Sequence, residues 1–174
     1  DAREVYATRW TDNPEDMAAD CMGAAAFSWG AYHDDVPVAV VGAVHIAQAL
    51  LPMARIAGYD PVVIDPRGAF GSQTRFPGET IIADWPDEAV EQFGLDTRTA
   101  LVLLTHDPKL DDPALHLALK SQCFYIGALG SKRTHAKRVE RLSETGFAEA
   151  DIARIHGPIG LDIGASSPQE IAVS

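Results

Sequence analysis

From residue 36 onward, short runs of apolar, mostly β-branched residues alternate with segments of helical character, and this constrains the fold more than any other feature of the sequence. Pro37-Val38-Ala39-Val40-Val41 runs apolar without a polar alternate and stops at Gly42. Pro61-Val62-Val63-Ile64 does the same before Asp65, and Thr99–Leu104 before Thr105. A half-exposed strand alternates polar and apolar residues, whereas an unbroken apolar run is a strand buried on both faces. Two weaker strands are read at 80–83 and 123–126. Ile46, Leu50, Met53 and Ala57 share one face of a helix that ends at Gly58 and contains Pro52, which is expected to kink it. Further helices are read at 86–93, 113–120, 131–145 and 149–155, and a last one opens at Ser167 with a capping-box pattern to Glu170. Strand–helix alternation of this kind specifies an α/β class: a three-layer, Rossmann-like parallel sheet with helices on both faces. Right-handed crossovers and five strands lead to the order 3-2-1-4-5.

Residues 1–35 do not share the rhythm and read as an N-terminal extension. Asp12-Asn13-Pro14 can start a helix over 14–26, and residues 29–35 read as a linker to the Rossmann-like domain at 36–174. The chain starts at Asp1 rather than at methionine, which leaves room for residues ahead of it.

Composition narrows the function. The net charge is −11 and the isoelectric point about 4.8, which argues against a general nucleic-acid binder or a binder of anionic membranes. No apolar run approaches the roughly 20 residues needed to span a bilayer. The two cysteines, Cys21 and Cys123, form no C-x-x-C pair, and their scarcity suits the reducing cytoplasm. No G-x-S-x-G elbow is present, so hydrolase chemistry has no support. Oligomeric state is left open, a homodimer included.

In open α/β sheets ligands bind beyond the carboxyl ends of the strands, where the strand order reverses. That point lies here between the first and fourth strands. The loop Gly42-Ala43-Val44-His45-Ile46-Ala47 resembles half of a dinucleotide fingerprint: Gly42 supplies the turn, but Val44 stands where a glycine would admit a pyrophosphate. Asp65, at the end of strand two, stands where a ribose-binding acid would be. His106 and Asp107 follow the fourth strand directly, and with His45 they are candidates for an acid/base or metal cluster. Gly127-Ala128-Leu129-Gly130 turns into a helix opening with Ser131-Lys132-Arg133-Thr134. Cations at a helix N-terminus oppose its dipole, so an anion on the backbone N–H groups of residues 129–132, held by Lys132 or Arg133, is expected. Lys137, Arg138 and Arg141 extend the basic run. Gly157–Gly164, with Gly160 and Asp162, reads either as a ligand-shaping loop or as a tight surface connection.

Taken in order, these segments resemble the xanthine dehydrogenase accessory protein family (XdhC/CoxI). The resemblance rests on Gly42–Leu50, Val63-Ile64-Asp65-Pro66-Arg67, Arg75-Phe76-Pro77, Leu104–Asp107, Tyr125–Thr134, His156–Gly164 and Pro168–Ser174. It implies a Rossmann-like domain of a maturation factor that binds molybdenum cofactor and supports its sulfuration and insertion into a xanthine dehydrogenase-type molybdenum hydroxylase, rather than a redox enzyme. It places Gly42, Val44, His45, Asp65, Arg67, His106, Asp107, Gly127, Gly130, Ser131, Lys132, Arg133, Gly160 and Asp162 among the cofactor-binding candidates, with no catalytic residue. The family often has glycines where Val44 and Ala47 stand, which weighs against NAD(P). Two other classes stay open on the residues alone: an NAD(P)-dependent oxidoreductase, and an interaction domain with a vestigial nucleotide pocket.

Overall fold

The computed structural model describes residues 36–174, and the helix and linker expected within 1–35 lie outside them. The strands are β1 (Val36–Val41), β2 (Tyr59–Ile64), β3 (Thr80–Ile82), β4 (Ala100–Leu103), β5 (Tyr125–Ala128) and β6 (Ile155–His156). The helices are α1 (His45–Ile56), α2 (Pro86–Phe93), α3 (Pro108–Lys120), α4 (Lys132–Glu144), α5 (Glu149–Ile152) and α6 (Pro168–Val173). All strands are parallel, in the order β3-β2-β1-β4-β5-β6. The expected order is therefore present and extended by one edge strand.

The apolar runs do what their pattern requires. Val40, Val41, Val63, Ile64, Leu101 and Leu103 are all sealed from solvent. Val38, Val40, Val63 and Val102 point to one face, where Ala47 and Leu51 of α1 and Phe76 cover them. Ala39, Val41, Ile64, Leu101 and Leu103 point to the other, beneath Ala89 and Val90 of α2, Ala114, Leu115 and Ala118 of α3 and Leu142 of α4. Phe76 belongs to a loop rich in glycine, arginine and proline, yet its ring is 1% exposed and fills the α1 side. Cys123 is buried beside α3, in keeping with its place next to a strand.

Three boundaries depart from expectation. Helix α3 starts five residues before Pro113, because Asp107 accepts the Lys109 N–H at 3.0 Å as N-cap and Pro108 occupies the first turn. An Asx–Pro start is the stronger signal, since proline at N1 lacks only an N–H that would be unpartnered anyway. Strand β5 runs two residues later than expected and includes Gly127 and Ala128, paired with Val102 and Leu103. A glycine in a strand marks close approach: a Cβ on Gly127 would lie 2.4 Å from Cδ1 of Ile159. Finally, α5 stops at Ile152, and Ile155–His156 leave it to pair with Ile126–Gly127. Two residues are too few to show a period.

The turn leaving β1 depends on Gly42, at φ +110°, where an added Cβ would meet Cγ2 of Thr105 at 2.7 Å. Both the dihedral and the contact oppose any side chain. Gly42→Ala should lower stability by about 2 kcal/mol or more in urea unfolding, with an unchanged m-value.

Candidate functional site

Crossovers leave β1 toward β2 and β4 toward β5 in opposite directions, so their loops part and open a crevice. It encloses about 430 Å³ and is lined by Val44, Arg67, Thr105, His106, Asp107 and Pro108 among others. Four of the sequence candidates, Val44, Arg67, His106 and Asp107, thus meet in one place. His106 and Asp107 are exposed there, and Arg67 is partly exposed.

The crevice wall on the β1 side is already hydrogen-bonded. Asp65 is 1% exposed, and its Oδ2 accepts the Ala43 N–H at 2.8 Å. Arg67 closes the rest: its Nε donates to Oδ1 at 2.8 Å, its Nη2 to Oδ2 at 2.7 Å, and its backbone N–H to Oδ1 at 2.9 Å. Burial pushes the Asp65 carboxyl up, but the bonds from Arg67 and Ala43 outweigh it and hold it below the usual carboxylate range. The Arg67 guanidinium lies 4.3 Å from the centre of the Phe70 ring. On the other side of Ala43, Nη1 of Arg75 donates to its carbonyl at 2.9 Å. The Val44 N–H donates to the Gly42 carbonyl, also at 2.9 Å. Donors that a dinucleotide fingerprint aims at pyrophosphate are therefore engaged within the chain.

The β5–α4 loop differs from expectation in the same way. The Leu129 N–H donates to the Leu103 carbonyl at 2.8 Å, continuing the sheet ladder, so the expected anion nest over residues 129–132 lacks its first donor. The Ser131 hydroxyl accepts the Thr134 N–H at 3.1 Å and caps α4, the short polar side chain completing the helix start. Gly130 turns the chain into that cap, and Lys132 is exposed.

The basic run converges instead on the side of α4 that faces α3. A cleft of about 300 Å³ is lined by His106, Asp111, Arg133, Lys137, Arg138 and Arg141 among others. Spacings of four residues put Arg133, Lys137 and Arg141 in one row, a periodicity visible in the sequence. Asp111 carries no such signal, because it falls ahead of the expected start of its helix. It accepts from the Thr105 hydroxyl and sits 3.4 Å from Nη2 of Arg138, which also donates to the Leu129 carbonyl at 2.9 Å. Burial, against the opposing pull of Thr105 and Arg138, pushes the Asp111 carboxyl up to about 6. His106 and Pro108 border both crevice and cleft.

Other candidates lie elsewhere. His45 opens α1 and is exposed. Among the described residues no three His, Cys, Asp or Glu side chains are placed to hold a metal ion, so His45, His106 and Asp107 do not form a metal cluster. The Gly157–Gly164 loop is tied down on the α1 side: the Ile159 N–H donates to the Ala128 carbonyl at 3.1 Å and the Leu161 N–H to the Ser174 carbonyl at 3.0 Å. Gly160 lines a separate apolar hollow of about 180 Å³ with Ile46, Leu104 and Ile171, and Asp162 is exposed. Among the described residues no helix is long and apolar enough to cross a membrane.

A parallel sheet in this order, with its crevice at the reversal of strand order, defines a Rossmann-like domain whose fingerprint loop is internally satisfied. Comparison with known proteins specifies it further. The XdhC Rossmann domain model matches residues 38–174, and the chain belongs to that family. It is 33% identical over 128 residues, 74% of this chain and 34% of the relative, to the molybdenum cofactor insertion chaperone PaoD of Escherichia coli. It is 31% identical over 128 residues, 71% of this chain and 37% of the relative, to a probable xanthine dehydrogenase subunit of Bacillus subtilis. A crystal structure of a xanthine dehydrogenase from Bacillus halodurans superposes with a TM-score of 0.69 at 30% identity, covering 80% of this chain and 40% of that one. The chain spans about a third of the length of the curated relatives it matches.

Two outcomes follow. With its carboxyl raised, Asp111 binds a proton more tightly folded than unfolded, so its contribution to stability is full below about pH 4 and falls as pH rises through about 6. Asp111→Asn should remove that downward step from stability measured between pH 4 and 7. NAD should bind more weakly than about 1 mM by calorimetry. Val44→Gly alone should leave it so, because the Ala43 N–H still goes to Asp65.

Proposed function

We propose that this domain receives molybdenum cofactor as cargo, shelters it, and passes it to a xanthine dehydrogenase-type molybdenum hydroxylase by direct contact. The observation that carries the reading is the match to the chaperone PaoD over 74% of this chain, beside a family match over residues 38–174 that includes the segments building the crevice. The geometry supports it in three respects. A pterin is flat and edged with donors and acceptors. The crevice offers His106 and Asp107 as exposed polar partners on one wall and the Val44 side chain on the other. Its volume, about 430 Å³, lies in the range of small-molecule sites. The cargo also carries phosphate, and a cationic cleft adjoins the crevice across His106 and Pro108. In a chain of net charge −11, cations confined to one cleft draw an anionic ligand there while the remaining surface discourages others.

Among the described residues no group in the crevice is placed as an activated nucleophile, and the role proposed is holding rather than turnover. His106 and Asp107 would orient the pterin edge, and Arg67, kept in place by Asp65, would border its path.

The reading is tested by anaerobic incubation of the protein with molybdenum cofactor, gel filtration and assay of the retained pterin by fluorescence. Retained pterin and a fall on replacing His106 and Asp107 together by Ala are expected, with a parallel fall in activation of an apo-hydroxylase. Protein that retains no pterin, or a gene deletion that leaves every molybdenum hydroxylase of the cell fully active, would overturn it.

A further inference from the structure

The cleft between α3 and α4 contains a buried cation whose hydrogen bonds are incomplete. Arg138 is 2% exposed, yet only its Nη2 finds partners: the Leu129 carbonyl at 2.9 Å and Asp111 at 3.4 Å. Its Nε and Nη1 are buried and have no hydrogen-bond partner among the described residues. Buried donors are rarely left unmade, because each forfeits its bonds to water, and more so on a charged group. A structural strut needs only the bonds Nη2 already makes. The remaining N–H groups lack an acceptor among the described residues, and Arg138 lines the cleft.

Charge points to the same ligand. The lining holds four cations, Arg133, Lys137, Arg138 and Arg141. Two carboxylates oppose them: Asp111 beside Arg138, and Asp112, which takes Arg141 through bonds of 2.6 and 2.9 Å. Two positive charges are left, on an acidic chain, in a walled space of about 300 Å³. A tetrahedral dianion with several acceptor oxygens matches both the charge and the unfilled donors, whereas chloride or a single carboxylate leaves one of the two charges unmatched. The Thr134 side chain also lines the cleft and can donate.

We infer that the α3–α4 cleft is a phosphate-binding site, with buried Arg138 as its anchor and Arg133 and Lys137 as its exposed arms. It accepts the phosphate end of a ligand whose body lies in the adjoining crevice, and in this it extends the cargo reading given above. The site is separate from the fingerprint loop, whose donors are engaged, and it uses side chains of α4 rather than the backbone N–H groups of its N-terminus, which Ser131 caps. Thr105 links the two spaces: it lines the crevice, and its hydroxyl donates to Asp111, which in turn faces Arg138.

The probes are inorganic phosphate and pyrophosphate, titrated against potassium chloride at equal ionic strength and followed by ³¹P NMR line broadening and thermal unfolding. Both phosphates should raise the unfolding temperature above the chloride control. Arg133→Gln with Lys137→Gln changes only exposed side chains and should leave the chloride-control unfolding temperature unchanged. It should weaken phosphate binding at least about tenfold, as expected for loss of charge-assisted bonds. Arg138→Met should abolish the phosphate response. Equal stabilisation by phosphate and chloride, or full-strength phosphate binding by the Arg133→Gln/Lys137→Gln protein, would overturn the inference. Because these probes contain no pterin, phosphate binding decides this site and pterin retention decides the cargo reading, each without the other.

Discussion

Ala43 is held from both sides, its N–H by the buried carboxylate of Asp65 and its carbonyl by the guanidinium of Arg75. Much of the site depends on that clamp. It joins the β1 turn to the end of β2 and to the loop that carries Phe76 into the core. It fixes the loop that launches α1, whose N-cap, Val44, makes no side-chain capping bond. It also determines what the crevice has left to offer. With Asp65 turned inward and Arg67 folded back on it, the β1 side presents walls rather than donors, and polar recognition passes to the β4 loop.

That division of labour explains why a sequence half-matching a dinucleotide fingerprint folds into something else. In the fingerprint, glycines bring backbone N–H groups to a pyrophosphate and an acid waits for the ribose. Here the acid is the keystone of the loop. A carboxylate taking three N–H groups from Arg67 and one from Ala43 is worth more to the fold than to a ligand. The cations gathered across the crevice, on α4, meet the opposite fate: they face a cleft with too few carboxylates to neutralise them.

Asp111 and Arg138 illustrate how a buried pair can be structural and unfinished at once. Desolvation of two charges opposes the pair, and a separation of 3.4 Å recovers little of that loss. The raised carboxyl of Asp111 and the unpartnered Nε and Nη1 of Arg138 are both symptoms of it. A ligand that completes the guanidinium's bonds would relieve the second without disturbing the first.

The architecture was legible in the sequence because its cause is local. Unbroken β-branched runs have no stable place except a doubly covered parallel sheet, and the alternating helices leave few topologies. The crevice, too, was legible, since strand order alone locates it, and Val44, Arg67, His106 and Asp107 line it. Tertiary structure decided the rest. Gly127 belongs to a strand through its pairing with Val102, and only the packing of Ile159, 32 positions away in the chain, shows why no side chain fits there. Whether Asp65 faced a ligand or the fold depended on where Ala43 and Arg67 placed their N–H groups. The basic run of α4 declared a charge, but which of its members converged, and on what, awaited the packing of α4 beside α3. Periodicity records which face of an element is buried; it does not record which partner across the core leaves a donor unfilled.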